Sequence, residues 1–290
     1  MPLAIRKRKR SRRLVLLVAV VAYLLVMTFG GCADRLLLYP STQPIAAPNA
    51  TAKRFGFNGG QLEIWTQRTV TLPRNGVAEP PRIYVLGFCG NASRAEDEIA
   101  VQTMNWRQAD AEVWVVNFPG YGASSGPARL KSIPPAALLA YDQLAKVAAG
   151  KPIYVSGNSL GCTAALYVAT NRSVAGMLLQ NPPPLRRLIM QHYGWWNLWL
   201  LAAPIALQTP QELNTLRTAP LVKAPAVFVL SDHDEIIPPR YHQMVVDAYA
   251  GSKRIVVLHG AGHNDGPNNN AEYAEIQAAI AWLLGTPPAR

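Results

Sequence analysis

The chain has 290 residues, half of them hydrophobic, which suffices for one large buried core and excludes a disordered polymer. Its net charge of +11 is gathered at the start: seven Lys and Arg residues precede Leu14, no acid comes before Asp34, and the rest of the chain carries only +4. With no zinc-ligand spacing and no basic stripe interleaved with aromatics, the charge does not read as nucleic-acid binding.

The basic cluster, Arg6 to Arg13, is followed by a nearly unbroken apolar run over residues 14–29. A cationic region ahead of an apolar one is the pattern of an export signal or membrane anchor, here residues 1–31. The run is shorter than the about 20 residues of a spanning helix, although residues 30–33 extend it. Phe29-Gly30-Gly31-Cys32 resembles the lipobox of bacterial lipoproteins, which implies lipidation of Cys32. The expectation is an exported, membrane-anchored chain, either a periplasm-facing lipoprotein or a signal-anchored protein. Residues 32–52, with scattered prolines, read as a tether that comes to lie on the domain. With Cys32 lipidated, Cys89 and Cys162 remain as an even pair, either a disulfide or two buried thiols.

The folded domain is expected over residues 53–290. Residues 53–57 and 61–71 are β-rich runs around Asn58-Gly59-Gly60, a hairpin signal. Strands at 82–88, 112–117, 174–180, 226–231 and 253–258 then alternate with helices at 94–109, 133–148, 239–250 and 271–284. An antiparallel start followed by strand–helix units predicts an α/β fold, a mostly parallel sheet with helices on both faces. The rhythm breaks at about 185–224, where some forty residues, including Trp195, Trp196, Leu198 and Trp199, predict a small inserted helical cap. Its apolar surface reads as packing on the domain, as an acyl-chain pocket or as a membrane contact.

Residues 151–170 carry the chemistry. An apolar strand runs into Gly157-Asn158-Ser159-Leu160-Gly161 and then a helix of small residues. Glycines two before and two after the serine permit a turn so tight that the serine is lifted clear of the sheet at a helix N-terminus. A serine nucleophile needs a base and an orienting carboxylate. Of five histidines, His263 stands in a glycine-bearing loop after the last strand and is the candidate base; His259 belongs to the strand end, His192 to the cap, and His233 and His242 flank residues 232–239. Asp232, Asp234 and Glu235 compete as the acid, and spacing favours Asp234. Adjacent acids on one loop with no distant third ligand do not make a metal site. The amides of Leu160 and of Asn91, in the loop Cys89-Gly90-Asn91-Ala92, are the candidate oxyanion donors.

The order Ser159, Asp234, His263, together with the elbow, the Phe118 to Gly126 loop, Ile236-Ile237-Pro238 and the Gly-x-x-His-Asn-Asp run, resembles the α/β-hydrolase superfamily over residues 53–284. The closest likeness is to compact serine hydrolases with a His-Gly-Asn-Ala oxyanion loop. The resemblance implies a serine esterase or thioesterase that needs no cofactor and takes a small acyl ester or lipid substrate. A peptidase or amidase of the same fold, and a catalytically silent binding protein, are the other readings. Two positions depart from the pattern: Cys89 stands where relatives usually carry histidine, and Asn117 where aspartate is common.

Overall fold

A computed structural model describes residues 2–69, 80–197 and 199–286. The expected strand end at Val70 and Thr71, and the cap residue Leu198, lie outside the described residues. Eight strands form one sheet in the order β1-β2-β4-β3-β5-β6-β7-β8. Strand β1 (Thr51–Phe57) turns back into β2 (Gly60–Arg68) through Asn58 and Gly59, both at positive φ (47° and 77°), as the twist of a two-residue hairpin demands. Strand β2 pairs antiparallel with β4 (Ala111–Val116). From β4 onward, β3 (Ile83–Phe88), β5 (Ile153–Asn158), β6 (Gly176–Gln180), β7 (Ala226–Ser231) and β8 (Lys253–Leu258) all run parallel.

These parallel strands are continuous apolar runs because both faces of the sheet are covered. Alternate residues divide between two cores. Leu86, Phe88, Val155, Leu179 and Phe228 pack with α4 (Ile133–Ala148), α5 (Leu160–Asn171) and α9 (Pro239–Ala248). Val85, Tyr154, Leu178, Val227 and Val229 pack with α3 (Ala95–Asn105) and α10 (Asn270–Gly285). The expected strand and helix positions agree with these elements to within a few residues. Helix α10 is capped by Asn269, whose side chain accepts from the Glu272 amide at 2.9 Å, a cap of the kind that contributes about 1 kcal/mol.

The N-terminal segment is helical over α1 (Pro2–Phe29) and again over α2 (Cys32–Leu37), where an irregular tether was expected. Among the described residues no helix is long and apolar enough to cross a membrane. Both helices pack on the insertion, where the Gln208 side chain bonds to the Met27 carbonyl. The insertion consists of α6 (Leu185–Gln191), a 3-10 turn at Trp195–Asn197, α7 (Ala202–Gln208) and α8 (Thr215–Thr218). Helices α6 and α7 pack on each other, whereas α8 and the turn before it pack on α5. The second half of the inserted stretch therefore belongs to the domain wall. Most of the insertion's exposed apolar side chains precede α8, among them Trp195, Trp196 and Leu207, with Leu221 exposed after it.

Candidate active site

The carboxyl ends of the parallel strands are where the loops converge, and Ser159 stands there between β5 and α5. Its backbone is at φ 49° and ψ −118°, outside the regions an ordinary residue prefers. The two flanking glycines make this tolerable. A side chain at Gly157 would meet the Cys162 backbone at 2.8 Å, and one at Gly161 would meet the Phe88 carbonyl at 2.1 Å. The Ser159 amide is fixed to the Gln180 carbonyl at 2.9 Å, which ties the turn to the end of β6.

His263 Nε2 lies 2.9 Å from Ser159 Oγ, and its Nδ1 lies 2.6 Å from Asp234 Oδ2. The three residues thus form one hydrogen-bonded relay although 104 positions separate the serine from the histidine. Gly260, at φ 71°, turns the chain after β8, and the His263 carbonyl is held by the Asn181 amide group at 3.1 Å. Asn181 also joins Ser231 at the end of β7 through both ends of its side chain, so it fastens the histidine loop to the sheet. Nothing in the sequence singled it out except its place at a strand end before three prolines.

The structure separates the competing acids. Asp234 is buried, and its Oδ1 accepts from the amides of Ile236 and Ile237 at 2.9 and 2.7 Å. Burial pushes its carboxyl upward, but donors from His242, His263 and the Ile237 amide outweigh this and hold it well below the usual carboxylate range. Asp232 faces away from the relay: it accepts from the rings of His233 and His259 and from the Gly260 amide, which pull it down to about 2. Glu235 follows Asp234 on the exposed side of the loop. Among the described residues no cluster of three or more His, Cys, Asp or Glu side chains is placed to hold a metal ion.

The loop after β3 faces the elbow. The Gly90 amide donates to Glu98 Oε1 at 3.2 Å, so it is engaged within the loop, and Leu160, at the first position of α5, has no carbonyl within the helix for its amide. The Asn91 side chain is fully engaged. Its Oδ1 accepts from the Tyr39 amide, the Ala92 amide and the Tyr121 hydroxyl, each at 3.1 Å, and its Nδ2 donates to the Leu37 carbonyl at 2.6 Å. Burial raises the Tyr121 phenol to about 12, so it stays a donor throughout the neutral range. The Ser41 carbonyl accepts from Arg94 and from the Gly122 amide, completing a strap from the N-terminal segment across two site loops.

Cys89 and Asn117, where the sequence differs from the pattern it resembles, each have defined partners. Cys89 and Cys162 are free buried thiols, not a disulfide: Cys89 donates to the Val116 carbonyl and Cys162 to those of Gly157 and Gln180. Burial pushes both thiols well up, so they remain neutral. Asn117 sits between two buried carboxylates and donates to Glu63 Oε2 at 2.9 Å and Glu96 Oε2 at 2.8 Å. An aspartate there would face two like charges with nothing to donate. Cys32 begins α2, half-buried and free.

No family model matches the chain. Two uncharacterized proteins of Mycobacterium tuberculosis, from strains H37Rv and CDC 1551, are each 26% identical over 269 residues, covering 89% of this chain and 90% of theirs. Among solved structures, a Pyrococcus furiosus esterase matches with a TM-score of 0.65 at 14% identity, over 87% of this chain and 99% of that one. An acetyl xylan esterase from Paenibacillus sp. R4 matches at 0.62 and 16%, over 88% and 91%. The fold is that of an α/β hydrolase. Est1E from Butyrivibrio proteoclasticus, solved with ferulic acid bound, gives 0.61 at 16% identity over 81% of this chain and all of that one. Within the α/β-hydrolase fold, elbow, acid loop and histidine loop follow β5, β7 and β8 in that order.

Proposed function

We propose that the chain is a membrane-tethered serine hydrolase that cleaves carboxylic esters or thioesters through an acyl-enzyme on Ser159. The observation that carries this reading is the relay of Ser159, His263 and Asp234, joined at 2.9 and 2.6 Å. Ser159 Oγ attacks the acyl carbon while its proton passes to His263 Nε2, and Asp234 holds the ring with Nδ1–H toward it and stabilises the imidazolium. The amides of Leu160 and Asn91, in the Cys89 to Ala92 oxyanion loop, receive the negative oxygen, supported by the positive end of α5. The alcohol or thiol departs with the proton from His263. Water, deprotonated by the same ring, then attacks the acyl-enzyme and releases the acid and Ser159. Every proton is returned within the relay, so the cycle needs no cofactor.

The esterases among the similar structures support ester cleavage. The basic cluster, the apolar run after it and the exposed leucines and valines of α1 support a membrane tether at the N-terminus, with Cys32 as the lipidated residue. Incubation of the full chain with a fluorophosphonate probe tests the function. Labelling of the wild type and none of Ser159→Ala, with loss of short-chain ester turnover in the variant, is the expected result; an unlabelled wild type leaves the silent binding protein. Metabolic incorporation of a palmitate analogue, abolished by Cys32→Ala, tests the lipid anchor.

A further inference from the structure

Asp234 serves two histidines. Its Oδ2 lies 2.6 Å from His263 Nδ1 and 3.0 Å from His242 Nε2, while Oδ1 is filled by two backbone amides. His242 stands on α9, eight residues beyond Asp234, and its ring is completely buried. Its Nδ1 faces the Pro182 carbonyl at 3.4 Å, at the end of the chain segment leaving β6. We propose that His242 is a positioning residue for the relay: its Nε2–H anchors Asp234 Oδ2 and shares that oxygen with His263, which fixes the carboxylate plane and moderates the basicity of the catalytic imidazole. The inference rests on the hydrolase reading of the site and adds to it a second donor at the acid.

The chemistry follows from the acceptor inventory. An ionised carboxylate accepts at about four lone-pair positions. At Asp234 all four are occupied, two by the turn Asp234 to Ile237 and two by imidazoles, so the group can neither rotate nor take up water. Because an ionised Asp234 only accepts, His242 donates from Nε2. A second donor on Oδ2 draws electron density from the His263 bond, and a less negative partner makes His263 a weaker base than it would be beside Asp234 alone. Burial, and then the nearby charge of Asp234, raise the Tyr193 phenol, so it stands near this carboxylate as a neutral group.

The decisive measurement needs no substrate. In the full-length protein carrying 15N-histidine, the ring nitrogens of His242 should report a proton on Nε2, and the His263 Nδ1–H should give a low-field proton resonance. His242→Leu should move that resonance, raise the acid limb of the kcat/KM profile for a short acyl ester and lower kcat about tenfold with KM unchanged, as removal of an outer partner typically does. His242→Gln, whose amide places an N–H near the position of Nε2, should restore the limb and most of kcat. A His242 ring protonated at Nδ1 alone overturns the proposal, as does a folded His242→Leu protein with the wild-type limb and resonance. If His242→Leu does not fold, the wild-type tautomer and the His242→Gln profile decide. A wild type without turnover defeats the hydrolase reading instead, and the tautomer and low-field proton still test the hydrogen bonds.

Discussion

The side-chain amide of Asn91 donates to the Leu37 carbonyl at 2.6 Å across 54 residues of sequence. This bond ties the segment after the N-terminal helix to the loop that follows β3, the proposed oxyanion loop. Asn91→Ala keeps the backbone amide that would face the oxyanion but removes four hydrogen bonds that aim it. We expect kcat to fall by roughly 10- to 100-fold, with a stability loss of about 1 kcal/mol from the lost, partly buried hydrogen bonds. Steady-state kinetics beside a denaturant titration check this, and wild-type kcat in a folded variant would show that the strap does not aim the amide.

Asp232 and Asp234 stand two residues apart and do different work. Asp234→Asn removes the charge that fixes the His263 tautomer, and kcat should fall by about 10⁴, the size found when the same change is made in a serine-protease triad. Asp232→Asn should leave kcat within about twofold, because among the described residues the Asp232 carboxylate bonds to His233, His259 and Gly260 and not to the relay. It should instead change acid stability. The folded carboxyl of Asp232 lies at about 2, below its ordinary 3.8, so its contribution is present above the ordinary value and is lost as pH falls toward 2. Denaturation midpoints between pH 5 and 2 should therefore fall less steeply in the variant. Equal slopes would mean the exposed imidazoles do not hold Asp232 in solution.

Asn117→Asp tests the two-carboxylate cradle. The new carboxyl would sit where Asn117 Nδ2 now donates to Glu63 and Glu96, both buried. Like charges push its folded pKa above the unfolded one, so the folded state binds the extra proton more tightly. The sign follows: the variant should be destabilised by about 1–3 kcal/mol at pH 8 and recover as pH falls toward 5. Urea midpoints at the two pH values measure it, and a pH-independent deficit would mean packing rather than charge is at fault.

Some of this was legible in the sequence. The parallel strands announce themselves because burial on both faces demands continuous apolar residues, and the elbow does so because only Gly157 and Gly161 permit it. Asp234 was separable from Asp232 by its distance from the strand end. The partners of these groups were not legible, since their spacing carries no period. Asn91 meets Leu37, Asn117 meets Glu63, and Asn181 meets His263 only because the sheet brings distant loops to one edge. Cys89 and Cys162 illustrate the same limit: a loop cysteine and a helix cysteine beside the elbow look alike whether bonded or free, and their carbonyl partners appear only once the elements are placed. His242 was visible as one more histidine near the acid loop, and its contact with Asp234 required the orientation of α9.

The elbow itself gives the sharpest stability test. A side chain at Gly161 would come within 2.1 Å of the Phe88 carbonyl and 2.7 Å of the Cys89 carbonyl, both backbone atoms that no rotamer change can move. Gly161→Ala must therefore push α5 away from β3, and with it the Leu160 amide and Ser159. The expected loss is about 3 kcal/mol, the upper range for overpacking, accompanied by failure of fluorophosphonate labelling in whatever fraction folds. Gly150→Ala serves as the comparison: its added carbon meets nothing within 4 Å, and its φ of 88° carries backbone strain alone. Thermal melts and probe labelling of both variants separate the effects. Strain at Gly150 should lower stability but leave Ser159 reactive, whereas Gly161→Ala should lose both. A labelled, near-native Gly161→Ala would mean the elbow has room that the packing of α5 on β3 does not allow.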